Sequence, residues 1–111
     1  MQIIPGNLYY VQFENTNKVS DIRHPYVVVT VDSDTVIVCA LTSNIHKVSM
    51  PGNVLLEAGE GNLPRQSVIE VSKVFTVKLS QLGALIGALD GARVRQISDG
   101  IEFVERLRSI H

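Results

Sequence analysis

Two neighbouring apolar runs in the first half of the chain predict a β-hairpin. Residues 26–31 and 35–41 are rich in β-branched side chains, and a three-residue polar link joins them. Because an antiparallel hairpin returns the chain to its starting edge, the residues before the first strand and after the second should meet. Arg23 and His24 precede the hairpin, and Thr42 follows it. The pattern therefore predicts cationic, imidazole and hydroxyl groups at one edge of a sheet.

Further apolar runs predict three more strands. Residues 8–13 and 53–57 form short runs, and residues 66–79 form the longest one. The apolar side chains of this long run change parity partway, which predicts a bend or a change of partner. Residues 82–89 are apolar but interrupted by glycine, and their pattern does not decide between strand and helix.

A helical period replaces the strand pattern near the end of the chain. Asp90 is suited to cap the helix, and Gly100 weakens its middle slightly. Apolar residues then recur at steps of three and four, at Val94, Ile97, Ile101, Val104 and Leu107. Several strands followed by one helix predict a mainly β (α+β) fold, a small, twisted, barrel-like antiparallel sheet with a helix on one side.

Length and composition limit the kind of protein this is. A chain of 111 residues is expected to form a single domain, residues 1–111, and to bury roughly 65% of its unfolded surface. Any active site should therefore lie on an open face, which a second subunit could complete. Ten basic and eleven acidic residues nearly cancel, so net charge neither predicts nor excludes a nucleic-acid partner.

The sequence also predicts which cofactors and compartments are absent. The single cysteine, Cys39, lies in a predicted central strand, where a thiol behaves as a small hydrophobe. No intrachain disulfide is possible, which suits a reducing cytoplasm. We find no phosphate loop or metal-ligand spacing and expect no cofactor and no metal. Neither a signal peptide nor a membrane-length apolar run is present, so a cytoplasmic protein without membrane contact is expected.

Each candidate site residue has a functional and a structural interpretation. An arginine such as Arg23 can bind phosphate and a histidine such as His24 can exchange protons. The alternative for Arg23 is a loop ion pair with Glu14 or Asp21, and for His24 it is simple solvent exposure. Thr42 and its neighbour Ser43 can equally serve only to cap a turn. The remaining polar candidates, which could equally be solvated surface side chains, are His46, Lys47, Arg65 and Gln66.

Six segments, in order and with suitable spacing, together resemble the MazF/PemK family of toxin endoribonucleases. The segments are residues 6–13, 23–29, 41–43, 51–56, 66–69 and 86–89. This resemblance implies an SH3-like barrel with a C-terminal helix, a homodimer, and metal-independent cleavage of single-stranded RNA or messenger RNA. It also implies a cognate antitoxin that covers the RNA-binding groove.

The resemblance assigns roles position by position and shows three departures. Thr42 matches the family's active-site threonine, but His24 occupies the arginine position, and Arg23 lies one residue earlier. The family's aspartate after the first glycine is Asn7, and the acidic residue of several members corresponds to Ser72. These departures leave open a catalytically inactive binding module of the same fold. A toxin directed at DNA gyrase is a further alternative.

The preferred assignment makes Arg23, His24 and Thr42 catalytic. Arg23 would stabilise phosphate charge, His24 would transfer a proton, and Thr42 would hold a non-bridging oxygen. His46 is a weaker candidate for the second proton transfer. The proposed RNA contacts are Ser43, His46, Lys47, Arg65 and Gln66.

Overall fold

The described residues form one antiparallel sheet of six strands, followed by one α-helix. The computed structural model describes residues 2–13 and 24–110. The strands are β1 (Asn7–Val11), β2 (Pro25–Val31), β3 (Thr35–Thr42), β4 (Val54–Leu56), β5 (Ser67–Lys78) and β6 (Leu82–Ala88), and the helix is α1 (Gly91–Ser109). The strand order is β4-β5-β3-β2-β1-β6. The predicted α+β class is confirmed, and the unassigned residues 82–89 contribute a strand.

The sheet is not closed into a barrel, so this part of the prediction was wrong. Within the described residues, β4 pairs only with β5 and β6 only with β1. β4 has only three residues, and the short 3-10 turn Glu60–Asn62 packs on β6, where a sixth strand pairing would close the sheet. There the Asn62 amide Nδ2 donates to the Ile86 carbonyl at 3.1 Å. A turn therefore lies where strand pairing would close a barrel.

The predicted hairpin is formed by β2 and β3. Tyr26 lies opposite Ala40, and one register shift follows farther along, after Val28. The polar link is closed by the Asp32 amide, which donates to the Thr35 carbonyl at 2.9 Å. The hairpin therefore returns the chain to the edge from which it started.

The long strand β5 bends without changing its main partner. Its register with β3 shifts between Val74, opposite Cys39, and Glu70, opposite Ala40. Residues 71–73 therefore form a bulge that has no register partner on β3. The change of parity in the sequence predicted this irregularity.

The sheet has two different faces. The helix-covered face carries the buried side chains of Leu8, Val27, Cys39, Leu41 and Ile69, which cluster with Ile97 of α1. The aromatic face carries Tyr9, Val28, Val36, Val38 and Val77, with Tyr26 and Phe13 packed against them. Strand side chains alternate between faces, so each strand contributes to both.

The helix begins where the sequence predicts, and its middle packs directly against the turn at Gly52. The Asp90 carboxylate caps it by accepting from the Arg93 amide at 2.9 Å. Gly100 is buried, and a Cβ there would clash with the Gly52 carbonyl oxygen. Gly100 thus allows the backbones of the helix and the Gly52 turn to come into contact.

Among the described residues, no helix has the length and apolarity needed to cross a membrane.

Candidate active site at the hairpin edge

The hairpin brings His24 and Thr42 to the same edge of the sheet. Tyr26 pairs with Ala40. Continuing this antiparallel register by two residues places His24, just before β2, opposite Thr42, the last residue of β3. The His24 side chain is exposed, and Thr42 is half-buried. The register therefore brings the chain positions of an imidazole and a hydroxyl residue to the same edge, which solvent can reach.

Arg23 lies outside the described residues, as do Glu14 and Asp21, its alternative partners. Its position next to His24 in the sequence keeps it a candidate for the same edge. Its catalytic role stays a prediction.

The Thr42 hydroxyl accepts a hydrogen bond within its own turn and keeps its proton for donation. Its Oγ1 accepts from the Asn44 amide at 3.2 Å, which is the turn-capping contact considered above. A hydroxyl has two acceptor lone pairs and one donor proton. Capping uses a lone pair only, so the same group can still donate to a phosphate oxygen.

Ser43 and Gln66 lie beyond Thr42 at the same edge. Thr42 pairs with Val68 of β5, and continuing this register brings exposed Ser43 close to the start of that strand. The Gln66 amide Nε2 donates to the Glu57 carboxylate at 2.9 Å, so one of its two N–H groups is already engaged. Arg65 is exposed one residue farther out. Of these three, Ser43 and Arg65 are the more accessible to a ligand.

His46 and Lys47 belong to a short 3-10 helix, Ile45–Ser49, that follows the site strand. The Asn44 side chain caps this turn by accepting from the His46 amide at 3.2 Å. His46 is exposed and Lys47 is half-buried. This cap therefore fixes the start of the loop that carries His46 and Lys47.

Asn53 is a positioning residue that the sequence pattern did not reveal. Its Nδ2 donates to the Lys47 carbonyl at 2.9 Å, and its Oδ1 accepts from the Val71 amide at 3.0 Å. It thus satisfies an amide of the β5 bulge and ties that bulge to the loop. An asparagine after Pro-Gly is an ordinary turn signal, so only the tertiary contact identifies this role.

A buried carboxylate lies one row inward from Thr42. Glu70 is 7% exposed and lies opposite Ala40, which places it on the face that Thr42 shares by strand alternation. Its Oε2 is 3.3 Å from the Lys73 ammonium. Ser72 is exposed in the bulge. Glu70 is therefore a buried acidic group near this edge, and it forms an ion pair.

Three aromatic rings cover part of the same face. Phe13 and Tyr26 have centroids 5.4 Å apart, and Phe75 lies 5.6 Å from Phe13 and 6.1 Å from Tyr26. Burial raises the pKa of the Tyr26 hydroxyl. The cluster joins residues from β2, β5 and the segment after β1.

The only cysteine is unsuited to act as a nucleophile. Cys39 is fully buried, and burial together with the negative charge of Glu70 raises its pKa to about 12. Its Sγ donates to the Glu70 carbonyl at 2.9 Å. The prediction that the Cys39 side chain behaves as a small buried hydrophobe is confirmed.

Residues 2–13 and 24–110 contain no group of three His, Cys, Asp or Glu side chains able to hold a metal ion.

Comparison with known proteins decides the family. Residues 4–104 match the family described as PemK-like, MazF-like toxin of type II toxin-antitoxin system. The chain belongs to this family. The resemblance found in the sequence is therefore confirmed.

Individual relatives agree with this membership. Endoribonuclease MazF6 of Mycobacterium tuberculosis is 34% identical over 70 residues, which span 63% of this chain and 61% of the relative. Endoribonuclease MazF of Staphylococcus saprophyticus is 28% identical over 78 residues, or 70% of this chain and 65% of the relative. The matched stretch thus spans less than two thirds of either relative.

Solved structures of MazF-type toxins share the fold. A mycobacterial endoribonuclease solved in complex with its cognate antitoxin superposes with a TM-score of 0.72 and 16% identity, over 94% of this chain and 95% of that one. The Mycobacterium tuberculosis toxin MazF-mt6 gives a TM-score of 0.68 and 20% identity, over 86% and 91% of the two chains. At these identities the likeness concerns the fold.

Proposed function

We propose that this MazF-like chain is the toxin of a type II toxin–antitoxin system and that it cleaves single-stranded RNA, including messenger RNA, without a metal ion. The observation that carries the proposal is the opposition of His24 and Thr42 at an accessible sheet edge. Family membership and two relatives named as endoribonucleases support it.

The reaction would proceed through attack of the ribose 2′-oxygen on the adjacent phosphorus. The 2′-hydroxyl loses its proton to a base, a 2′-O–P bond forms, and the P–5′-O bond breaks. The leaving 5′-oxygen takes a proton from an acid, which leaves a 2′,3′-cyclic phosphate and a 5′-hydroxyl. Catalysis needs the two proton carriers and donors around the negatively charged phosphorus centre.

The residues at the edge divide these tasks. His24 transfers one proton, and His46 is the second candidate for proton transfer. Arg23 stabilises charge on the phosphate, and Thr42 donates its hydroxyl proton to a non-bridging oxygen. Four further residues contact the RNA strand: Ser43, Lys47, Arg65 and Gln66.

The partners and setting follow from the same proposal. A cognate antitoxin would inhibit the toxin by covering the RNA-binding surface, and two copies of the chain would form a homodimer. Residues 1–111 would act as one domain in the cytoplasm. The solved mycobacterial relative in complex with its antitoxin supports the first of these points.

Cleavage of an end-labelled single-stranded RNA in the presence of EDTA tests the activity. The wild-type protein should yield products ending in 2′,3′-cyclic phosphate. His24→Ala and Arg23→Ala, assayed separately, should each lower kcat/KM by about 100-fold or more, the usual size of a proton-transfer or charge-stabilising contribution. Arg95→Ala, an exposed helix residue, is the control and should retain full activity.

A second candidate function is a non-catalytic RNA-binding module. The observation that favours it is the presence of exposed His24 where the family has its arginine. Full activity in both His24→Ala and Arg23→Ala would contradict the catalytic roles assigned to His24 and Arg23. A wild-type protein that binds single-stranded RNA without cleaving it would contradict the nuclease and favour the binding module.

A further inference from the structure

The cluster of Phe13, Tyr26 and Phe75 presents aromatic surface to solvent. Phe75 is 40% exposed, and Phe13 and Tyr26 are half-buried. The three ring planes are inclined to one another by 67° to 77°. Edge-to-face packing of this kind is a favourable arrangement of aromatic rings. The cluster is thus a packed, partly open aromatic surface.

This surface is continuous with the proposed cleavage site. Tyr26 is two residues from His24 on the same strand path, and its register partner Ala40 is two residues from Thr42. Two residues along a strand span about 7 Å. Strand alternation places these side chains on one face, with the aromatic row directly inside the His24–Thr42 edge.

A cation and an anion interrupt the apolar surface next to the rings. Lys73 lies two residues before Phe75, and 54% of its side chain is exposed. Its ammonium is 3.3 Å from the buried Glu70 carboxylate, which holds it at this face. One carboxylate contact leaves further donor protons of the ammonium for a second acceptor.

We propose that Phe13, Tyr26 and Phe75 form a subsite that stacks a nucleobase of a single-stranded RNA, with Lys73 contacting a neighbouring phosphate. The inference rests on the proposed function for its substrate class. Single strands are commonly bound by aromatic rings that stack on bases beside cations that track the backbone, which is the combination present here. The charged pair beside the rings fits this occupant better than an extended apolar partner surface.

Binding of an RNA that cannot be cleaved isolates this subsite from catalysis. The probe is a single-stranded oligonucleotide with 2′-O-methyl riboses and 2-aminopurine at successive positions, read by fluorescence quenching. The wild-type protein should quench one position strongly. Phe75→Leu, which keeps apolar bulk, and Phe75→Ala should both weaken binding by about 10-fold and remove the quenching, as expected for loss of one stacked base.

Phe103→Ala is the matched control, because Phe103 is 47% exposed on α1, outside the aromatic cluster. It should bind the oligonucleotide as the wild type does. Equal affinity and equal quenching for Phe75→Leu, Phe75→Ala and Phe103→Ala would overturn the subsite.

Two further outcomes separate the stacking subsite from the proposed nuclease activity and from a contact between copies of the chain. Quenching by a wild-type protein that does not cleave unmodified RNA would support the subsite and contradict the proposed nuclease. A change of oligomeric state in Phe75→Leu, measured by analytical ultracentrifugation, together with unchanged RNA affinity, would overturn the subsite and identify the surface as a contact between copies.

Discussion

The two faces of one sheet are built from different kinds of interaction. On the helix-covered face, aliphatic side chains such as Leu8 and Ile69 are fully buried and pack with Ile97 of α1. On the aromatic face, rings remain partly open, and the buried Glu70 carboxylate needs Lys73 as a partner. The polar edge formed by His24 and Thr42 continues this second face.

The difference between the two faces indicates which side chains stabilise the fold and which can contact a ligand. Burial of aliphatic surface and close backbone contact stabilise the helix-covered face. The aromatic face keeps groups that can exchange contacts with a ligand. Substitutions of buried aliphatic side chains should therefore lower the free energy of unfolding, and substitutions of the exposed rings and the polar edge residues of the second face should lower RNA affinity or cleavage.

The largest stability effect is expected from Ile69→Ala. Ile69 is fully buried in the helix-covered cluster, so removing its side chain leaves a cavity and should lower the free energy of unfolding by about 3 kcal/mol. Urea denaturation measures this. Val74→Ala, on the same strand but 39% exposed, should cost less than about 1 kcal/mol. Equal losses in the two variants would contradict the dependence of stability on the burial of aliphatic side chains.

Gly100→Ala should destabilise the protein although alanine favours helices. Its Cβ would clash with the Gly52 carbonyl, so the expected loss is about 2 kcal/mol. Gly91 is the control, because a Cβ there meets no atom within 4 Å. Gly91→Ala should leave the thermal midpoint unchanged or slightly higher. A higher midpoint for Gly100→Ala would show that the helix and the Gly52 turn are not in close contact.

Stability should decline at alkaline pH through Cys39. Its folded pKa is raised from 9.0 to about 12, so the stabilisation is complete below pH 9 and is lost as pH rises toward 12. At pH 10 the unfolded thiol ionises and the folded one does not, which costs about 1 kcal/mol. Cys39→Ala should flatten this decline in urea titrations. An unchanged slope would contradict the burial of the thiol.

The smallest effect is expected from Arg93→Lys. The Arg93 guanidinium donates twice to the Glu60 carboxylate at 2.8 Å, which joins α1 to the turn before β5, and lysine cannot reproduce this fork. The expected loss is about 0.7 kcal/mol, because both side chains are partly exposed. Arg106→Lys, in the exposed pair with Glu102, should be neutral. Equal thermal midpoints for the two variants would contradict a larger stabilising contribution from the Arg93–Glu60 pair than from the Arg106–Glu102 pair.

The sequence predicted the elements formed by repeated local patterns. The β2–β3 hairpin, the β5 irregularity and the Asp90 cap all follow from side-chain periodicity and turn chemistry. Barrel closure was wrong because a turn, Glu60–Asn62, and not a strand packs on β6, through the Asn62 side chain and through the Gly61 backbone next to Gly87. Such a contact leaves no periodic signal.

The candidate site was only partly predictable for the same reason. The approach of His24 to Thr42 follows from hairpin geometry. The Asn53 bridge and the contact of Phe13 with Phe75 depend on how distant segments fold onto the sheet. Such contacts between distant segments leave no local sequence pattern. The interpretation of Gly100 as a mere weakness also missed the Gly52 contact.

Replacing each terminal threonine of β3 by valine tests the separation of chemistry from stability most directly. Thr42 and Thr35 are both half-buried, at opposite ends of the strand. Thr42→Val should lower kcat/KM on single-stranded RNA by about 100-fold, with the free energy of unfolding within about 1 kcal/mol of wild type. Thr42→Ser should recover most of the activity, and Thr35→Val should stay fully active. Equal activity in Thr42→Val and Thr35→Val would contradict the placement of the catalytic edge.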